Sequence, residues 1–341
     1  MPGRAPAPRA VVSYIIRRLI GMVFILIIVA AITFAIFFLL PRLAGETAYG
    51  LATQYVGRNP TPAAVVSMEH QLGLDQPVYV QFGRFLWAIV AGEHYNGAWC
   101  GPPCLGYSFK NQQPVWPQLV SDIPVTFSLM IGAAVIWLIA GVTIGVISAL
   151  KRGTIFDRFS MTIALLGVSL PIFFTGLIAL ELFSYKWPIF PNVQYVPFTQ
   201  NPYEWAKNLV LPWLVLAFLY AALYARLTRA GMLETMNEDY IRTARAKGLP
   251  ERTVILKHAL RAALTPIVTI FGLDIGLLLG GAIITEYTFS LHGLGLFTIE
   301  AIDNQDFPEI MGVTLLACFF IVIANLIVDI LYAVLDPRVR Y

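Results

Sequence analysis

The chain has 341 residues, 58% of them hydrophobic and only 13% charged, with a formal net charge of +3 and a mean hydropathy of +0.72. A soluble globular domain carries about 25% charged residues, so this balance excludes a water-soluble enzyme and points to an integral membrane protein. No nucleic acid partner is expected of it.

Apolar windows of roughly 20 residues, enough to cross a bilayer core, fall at about 19–40, 124–150, 160–185, 208–226, 264–286 and 310–335. They predict an all-α membrane protein of about six transmembrane helices. Residues 1–18 form a tail and 19–40 the first helix. Residues 41–123 form a segment on the opposite side, and 124–341 a five-helix core with a loop at about 227–263. The first window, LIGMVFILIIVAAITFAIFFLL, is longer than a secretory signal core, and Pro41-Arg42 follow it in place of a cleavage site, so it reads as a retained helix. With the N-terminus inside, 17 of the 23 basic residues fall in inside segments. Arg42, Arg58, Arg84, Lys110, Lys186 and Lys207 are left outside. Because basic residues favour the cytoplasmic side, both termini are expected in the cytoplasm.

Within 41–123, TPAAVVSMEHQLGL looks like a helix start, and QPVYVQFGRFLWAIVAG predicts an amphipathic helix on the membrane face. AWCGPPCLGYSF resembles a redox site, but three residues separate Cys100 from Cys104 and no helix follows to lower a thiol pKa. Two readings stand: a membrane thiol oxidoreductase, or a disulfide closing a small loop on the oxidising side. Cys318 reads as a small apolar residue inside the last span.

Residues 237–266, NEDYIRTARAKGLPERTVILKHALRAALTP, pose a different problem, because 226–266 carries eight basic and four acidic residues between two spans. Tyr240 to Lys247 predicts a short helix, with Ala244 and Ala246 keeping one side slim. Gly248 suits the left-handed position that ends a helix, and Pro250 the first turn of the next. A second helix, from Glu251 to about Leu264, then runs into the following span with Lys257 and Arg261 on one face. Positive-inside bias or contact with anionic membrane lipid explains the charge. A docking helix for a cytoplasmic partner explains both the charge and the order of Ala, Gly and Pro.

Inside the fifth window, Gly272, Gly276 and Gly280 recur every four residues, a pattern that lets a neighbouring helix approach closely. Asp274 points away from that face near the membrane midplane. There it either lines the translocation path or hydrogen-bonds a neighbouring helix. Asn325 and Asp329, at i and i+4 in the last window, form one polar stripe, with interhelical bonding or the path as their roles. Glu181 and Glu286 fall near outer span ends and are expected in water. There is no Gly-x-x-x-x-Gly-Lys-Ser/Thr loop, no His-Glu-x-x-His and no Gly-x-Ser-x-Gly. No catalytic residue, resident cofactor or metal site is therefore expected, and ATP energy must come from another polypeptide.

DYIRTARAKGL followed by KHAL resembles the cytoplasmic signature loop of binding-protein-dependent ABC importers, in the dipeptide/oligopeptide permease branch. In the general signature Glu-Ala-Ala precedes the glycine. Here Arg242 and Thr243 replace the first two residues, Ala244 matches, and His258-Ala259-Leu260-Arg261 replace Ile-x-Leu-Pro. QLGLDQPVYVQFGRFL, LGYSFKNQQPV, LKRGTIFDR, SLPIFFTG, LHGLGLF and IVDILYAVLDPRVRY extend the resemblance over about 11–341, with 94–104 looking like an insertion. The resemblance implies a type I permease fold in a prokaryotic inner membrane. It makes Asp239, Tyr240, Arg242, Thr243, Ala244, Arg245, Lys247, Gly248 and Leu249 the ATPase-coupling residues. The implied partners are a second homologous permease, two ABC ATPases that bind ATP and magnesium, an extracytoplasmic binding protein and a peptide substrate. Similar permeases carry nickel complexes or oligosaccharides, so the cargo stays open at this point. An ATP-independent secondary transporter would not need the elbow.

Overall fold

The structure, a computed structural model, describes residues 8–56, 61–95, 97–190 and 193–335; Arg4, Arg58, Arg338 and Arg340 lie outside these. Helix α1 (Pro8–Phe34) continues through a π turn (Ala35–Leu39) into α2 (Leu40–Leu43), followed by α3 (Ala48–Val56), α4 (Pro62–Gln71) and α5 (Val78–Ala91). Hairpins β1 (Glu93–Tyr95)–β2 (Ala98–Cys100) and β3 (Tyr107–Ser108)–β4 (Gln113–Pro114) precede α6 (Val115–Leu150) and α7 (Ile155–Ser169). Then come α8 (Ile172–Leu180) with a π extension (Glu181–Lys186), α9 (Pro202–Thr235), α10 (Asp239–Ala246) and α11 (Glu251–Thr253). A third π stretch (Val254–Ala259) leads into α12 (Leu260–Leu279), α13 (Ile283–Phe289), α14 (Leu294–Asp303) and α15 (Phe307–Leu335).

Local chemistry sets several of these boundaries. Thr61 Oγ1 accepts from the Ala64 N–H at 3.4 Å ahead of Pro62. Asn201 Oδ1 accepts from the Tyr203 and Glu204 N–H groups at 3.1 and 3.2 Å ahead of Pro202. Each is a capping side chain followed by the residue best suited to the first helical position.

Among the described residues five helices are long and apolar enough to cross a bilayer, and a bent pair makes up to six. That pair corrects the third predicted span: Ile155–Ser169 and Ile172–Lys186 meet at 101°. Leu170 precedes Pro171 and is therefore held extended, with ψ at 131°, and the proline offers no N–H to continue the helix. The fifth span is corrected too, since it runs Glu251–Leu279 rather than 264–286. At Gly281 φ is +122°, and an added Cβ would lie 2.6 Å from the Gly295 nitrogen, so the chain turns there and restarts as α13. The two hairpins were not expected from an all-α reading.

Two compact units divide the chain. The first comprises Met1–Pro124, Leu279–Gly281 and Gly293–Tyr341. In it α1 packs along α15, and Leu119, Leu294, Val313 and Leu316 lie at the core. A smaller cluster of Leu51, Ala52, Val65 and Leu74 joins α3 to α4. Ser108 donates to Asp306 Oδ2 at 2.5 Å and Asn111 to Glu309 Oε1 at 2.6 Å, tying the second hairpin to the start of α15. Burial and the nearby Glu93 carboxylate push the Tyr95 phenol pKa upward.

The second unit comprises Val125–Leu278 and Ala282–His292. Here α7 and α8 pack on α9, and α13 packs on α8. Helix α6 reaches α9 through glycine. A Cβ on Gly132 would lie 2.0 Å from the Trp213 ring, on Gly141 2.7 Å from Tyr224 Cβ, and on Gly145 2.6 Å from the Ala225 carbonyl oxygen. Such contacts replace hydrophobic driving force, which is absent between helices in lipid, with close backbone packing. Gly145→Leu is accordingly expected to cost about 1–3 kcal/mol through overpacking, read as a lower unfolding midpoint of the purified chain in detergent. An unchanged midpoint would show that α6 and α9 are not in close contact.

Candidate functional site

The elbow after α9 is built from one buried edge and one exposed face. In α10, Ile241 is 0% exposed and Ala244 is buried beside it; both pack against Met232, Val254, Ala259 and Ala263. Asp239, Tyr240, Arg242, Thr243, Arg245, Ala246 and Lys247 are exposed. The buried positions are three apart, so α10 rests on a single narrow stripe. Its end is a Schellman turn: Gly248 N–H donates to the Arg245 carbonyl at 2.9 Å, and Leu249 N–H to the Ala244 carbonyl at 3.4 Å. Gly248 has φ of +73° and open space where a Cβ would sit, so its backbone conformation rather than crowding demands glycine.

Arg245 spans the elbow, with Nη2 donating to Glu251 Oε1 at 2.7 Å and Nε to Oε2 at 3.2 Å. This fork fixes the angle between α10 and α11, and the Glu251 carboxylate holds the guanidinium pKa above its ordinary value. The nine residues expected at this site thus surround one turn, with Ala244 facing inward and the charged members outward. Ala246, expected to slim the buried side, faces outward instead. Ile241, the main anchor, was not singled out, because one large aliphatic side chain in an eight-residue helix carries no periodic signal.

A second constellation, also missed, lies where α6, α7 and α9 meet. Asp157, 4% exposed, accepts from Arg229 twice, Nε to Oδ1 at 2.7 Å and Nη2 to Oδ2 at 2.9 Å. It also accepts from the Gly153 N–H at 2.9 Å and from the Ser148 hydroxyl. Every lone pair of this buried carboxylate is thus engaged by a charge-assisted or neutral donor. Arg229 lies on α9, whose end leads directly into the elbow.

In the membrane-spanning part of the same unit, Asp274 on α12 is half-buried and its Oδ2 accepts from the Tyr224 hydroxyl at 2.7 Å. Tyr224 belongs to an aromatic group in which Trp137 stacks on Tyr220 with centroids 4.6 Å apart and meets Phe271 at 6.1 Å. Gly276 is buried and Gly272 half-buried on α12, while Gly280 falls in the turn beyond it. Asn325 and Asp329 belong to the other unit. There Asn325 is exposed on α15, and Asp329 Oδ2 pairs with Arg18 Nη1 at 2.8 Å.

Glu181 is exposed as expected. Glu286 is not in water, contrary to its expected place at a span end: it is 0% exposed. It accepts from the Thr126 hydroxyl at 2.8 Å and the Ala282 N–H at 3.2 Å. The turn at Gly281 carries it off the end of α12 and into the unit. Cys100 and Cys104 form a disulfide and are both buried. Among the described residues no group of three His, Cys, Asp or Glu could hold a metal.

Several membrane-length helices with a short charged helix between two of them suit a membrane transport component, and comparison with known proteins agrees. Residues 141–341 match the binding-protein-dependent transport system inner membrane component, and residues 11–130 match the N-terminal part of such components. The chain belongs to this family. It is 40% identical over 329 residues to a Brucella abortus protein named for a peptide transport system permease, covering 96% of this chain and 99% of that one. Dipeptide transport system permease proteins DppB from Escherichia coli and Alkalihalophilus pseudofirmus are 36% identical over 352 and 353 residues, with the same coverage.

Proposed function

We propose that the chain is one of two permease subunits of an ATP-driven importer of di- or oligopeptides. Two cytoplasmic ATPases would bind ATP and magnesium, and an extracytoplasmic binding protein would deliver the substrate. Both termini lie in the cytoplasm of a prokaryotic inner membrane in this reading, consistent with the basic residues of the elbow side. The single observation that carries it is α10. It is joined to α9 through residues 236–238 and to the α11–α12 run through the Gly248 turn, is seated by Ile241 and Ala244, and offers its charged face outward. A partner that pulls this helix moves both spans. The peptide cargo is supported by the relatives' names. Burial of the disulfide speaks against a thiol oxidoreductase, whose sulfurs must meet a redox partner.

Affinity purification of the chain from its native membrane tests the assembly. Two P-loop ATPases and a second permease are expected to co-purify, and Gly248→Trp to weaken their retention or to uncouple ATP hydrolysis from uptake. A fully active Gly248→Trp complex, or a chain that comes out alone, would sink the reading. Asp274 is read as part of the translocation path: Asp274→Asn is expected to change uptake rate and its dependence on peptide charge, whereas Tyr224→Phe, which keeps the carboxylate, changes the rate alone. Identical transport by Asp274→Asn and the native chain would remove that role.

A further inference from the structure

Helices α1 and α15 pack together but leave a groove of about 530 Å³ along one side of the first unit. One wall is a single stripe of α1 at intervals of four, namely Arg17, Gly21, Ile25 and Val29; the facing wall includes Cys318, Val322, Asn325 and Asp329 of α15. At ~1.5 Å per residue the α1 stripe is ~18 Å long, about the depth of one leaflet of a ~30 Å hydrocarbon core. An added Cβ at Gly21 would meet nothing within 4 Å, so this glycine leaves the groove floor open.

Charge is confined to one end. Arg18 is paired with Asp329 at 2.8 Å, while Arg17 is exposed and no carboxylate pairs with it among the described residues. Among the described lining residues the groove mouth therefore carries one net positive charge. Asn325 lies one turn, or ~6 Å, deeper along α15, the level at which a phospholipid passes from phosphate to glycerol ester. A second groove of about 620 Å³, elsewhere on the same helix pair and lined by residues such as Leu26, Leu86 and Phe319, has no charged lining residue. Only the first thus combines hydrocarbon walls with headgroup chemistry.

We infer that this groove is a binding site for one anionic phospholipid, its phosphate held by Arg17 and Arg18 and one acyl chain lying along Gly21, Ile25 and Val29. Guanidinium groups match phosphate geometry in bidentate fashion. Asp329 then has a double role: it orients Arg18 and sets the mouth at one positive charge rather than two. This gives the Asn325–Asp329 stripe a role independent of the cargo.

The test is native mass spectrometry of the purified full chain with equimolar dioleoyl phosphatidylglycerol and dioleoyl phosphatidylcholine. The native chain is expected to retain one phosphatidylglycerol with about fivefold preference, the worth of one basic residue at a membrane surface. Arg17→Gln brings the preference close to parity, and Gly21→Leu, which fills the floor, lowers retention of both lipids. Asp329→Asn raises the preference, a direction that a merely destabilising change would not produce. Equal retention of the two lipids by the native chain, or an undiminished preference in Arg17→Gln, overturns the assignment. So does cross-linking of Gly21→Cys to a second protein chain in the assembled complex, which would make the groove a protein interface.

Discussion

Replacing Arg229 with methionine lowers the unfolding midpoint of the detergent-purified chain by the equivalent of ~3 kcal/mol or more, because it strands a buried carboxylate. Asp157 would keep its bonds from Ser148 and the Gly153 N–H but lose both donors of its counter-ion. Asp157→Asn is expected to be milder. Its side chain still accepts one bond, and Arg229, with 26% of its side chain exposed, reaches water. Arg229→Lys falls between, since an ammonium keeps the charge but not the two-pronged geometry. The double change Arg229→Met with Asp157→Leu recovers part of the loss, because no buried charge remains to be satisfied. If Arg229→Met unfolded like the native chain, the pair would be a surface contact and its place between α7 and α9 would carry no weight.

That pair also marks the boundary of what the sequence makes legible. The elbow could be read directly, because Gly-Leu-Pro is a local signal: a left-handed residue and a helix start sit two positions apart. The apolar windows were equally local, since each records only the length of hydrocarbon a helix must cross. Asp157 and Arg229 are separated by 72 residues, and nothing in the spacing of either announces the other. The same applies to the α6 glycines. Gly141 and Gly145 carry the same four-residue spacing as Gly272 and Gly276, and only the fold shows that a Cβ at Gly141 or Gly145 would run into α9. Glu286 was misplaced for a related reason: a hydropathy window runs through Gly280 and Gly281 as though the helix did not end there. In contrast, the break at Pro171 was readable in principle, because a proline restricts the residue before it, but the apolar window outweighed it.

The second large effect is expected at Ile241. Its side chain is fully buried among Met232, Val254 and Ala263, and with Ala244 it forms the buried stripe that seats α10 on the unit. Ile241→Ala costs about 2–4 kcal/mol of local stability, enough to shift α10 from docked to largely undocked, since each 1.4 kcal/mol is tenfold in population. Ile241→Asp goes further by placing an unpaired carboxylate against apolar groups. The two spans on either side do not depend on this contact for insertion, so the amount of chain in the membrane should stay near the native level. What should be lost is transmission. Displacement of α10 would no longer move α9, whose Arg229 holds the start of α7 through Asp157. Peptide uptake by vesicles carrying the Ile241→Asp assembly is therefore expected to fall to background, with ATP hydrolysis either persisting without uptake or absent along with the ATPases. Uptake at the native rate would mean that α10 acts without being seated. The lever would then have to be sought in the Arg245–Glu251 fork, where Glu251→Gln is the variant to measure next.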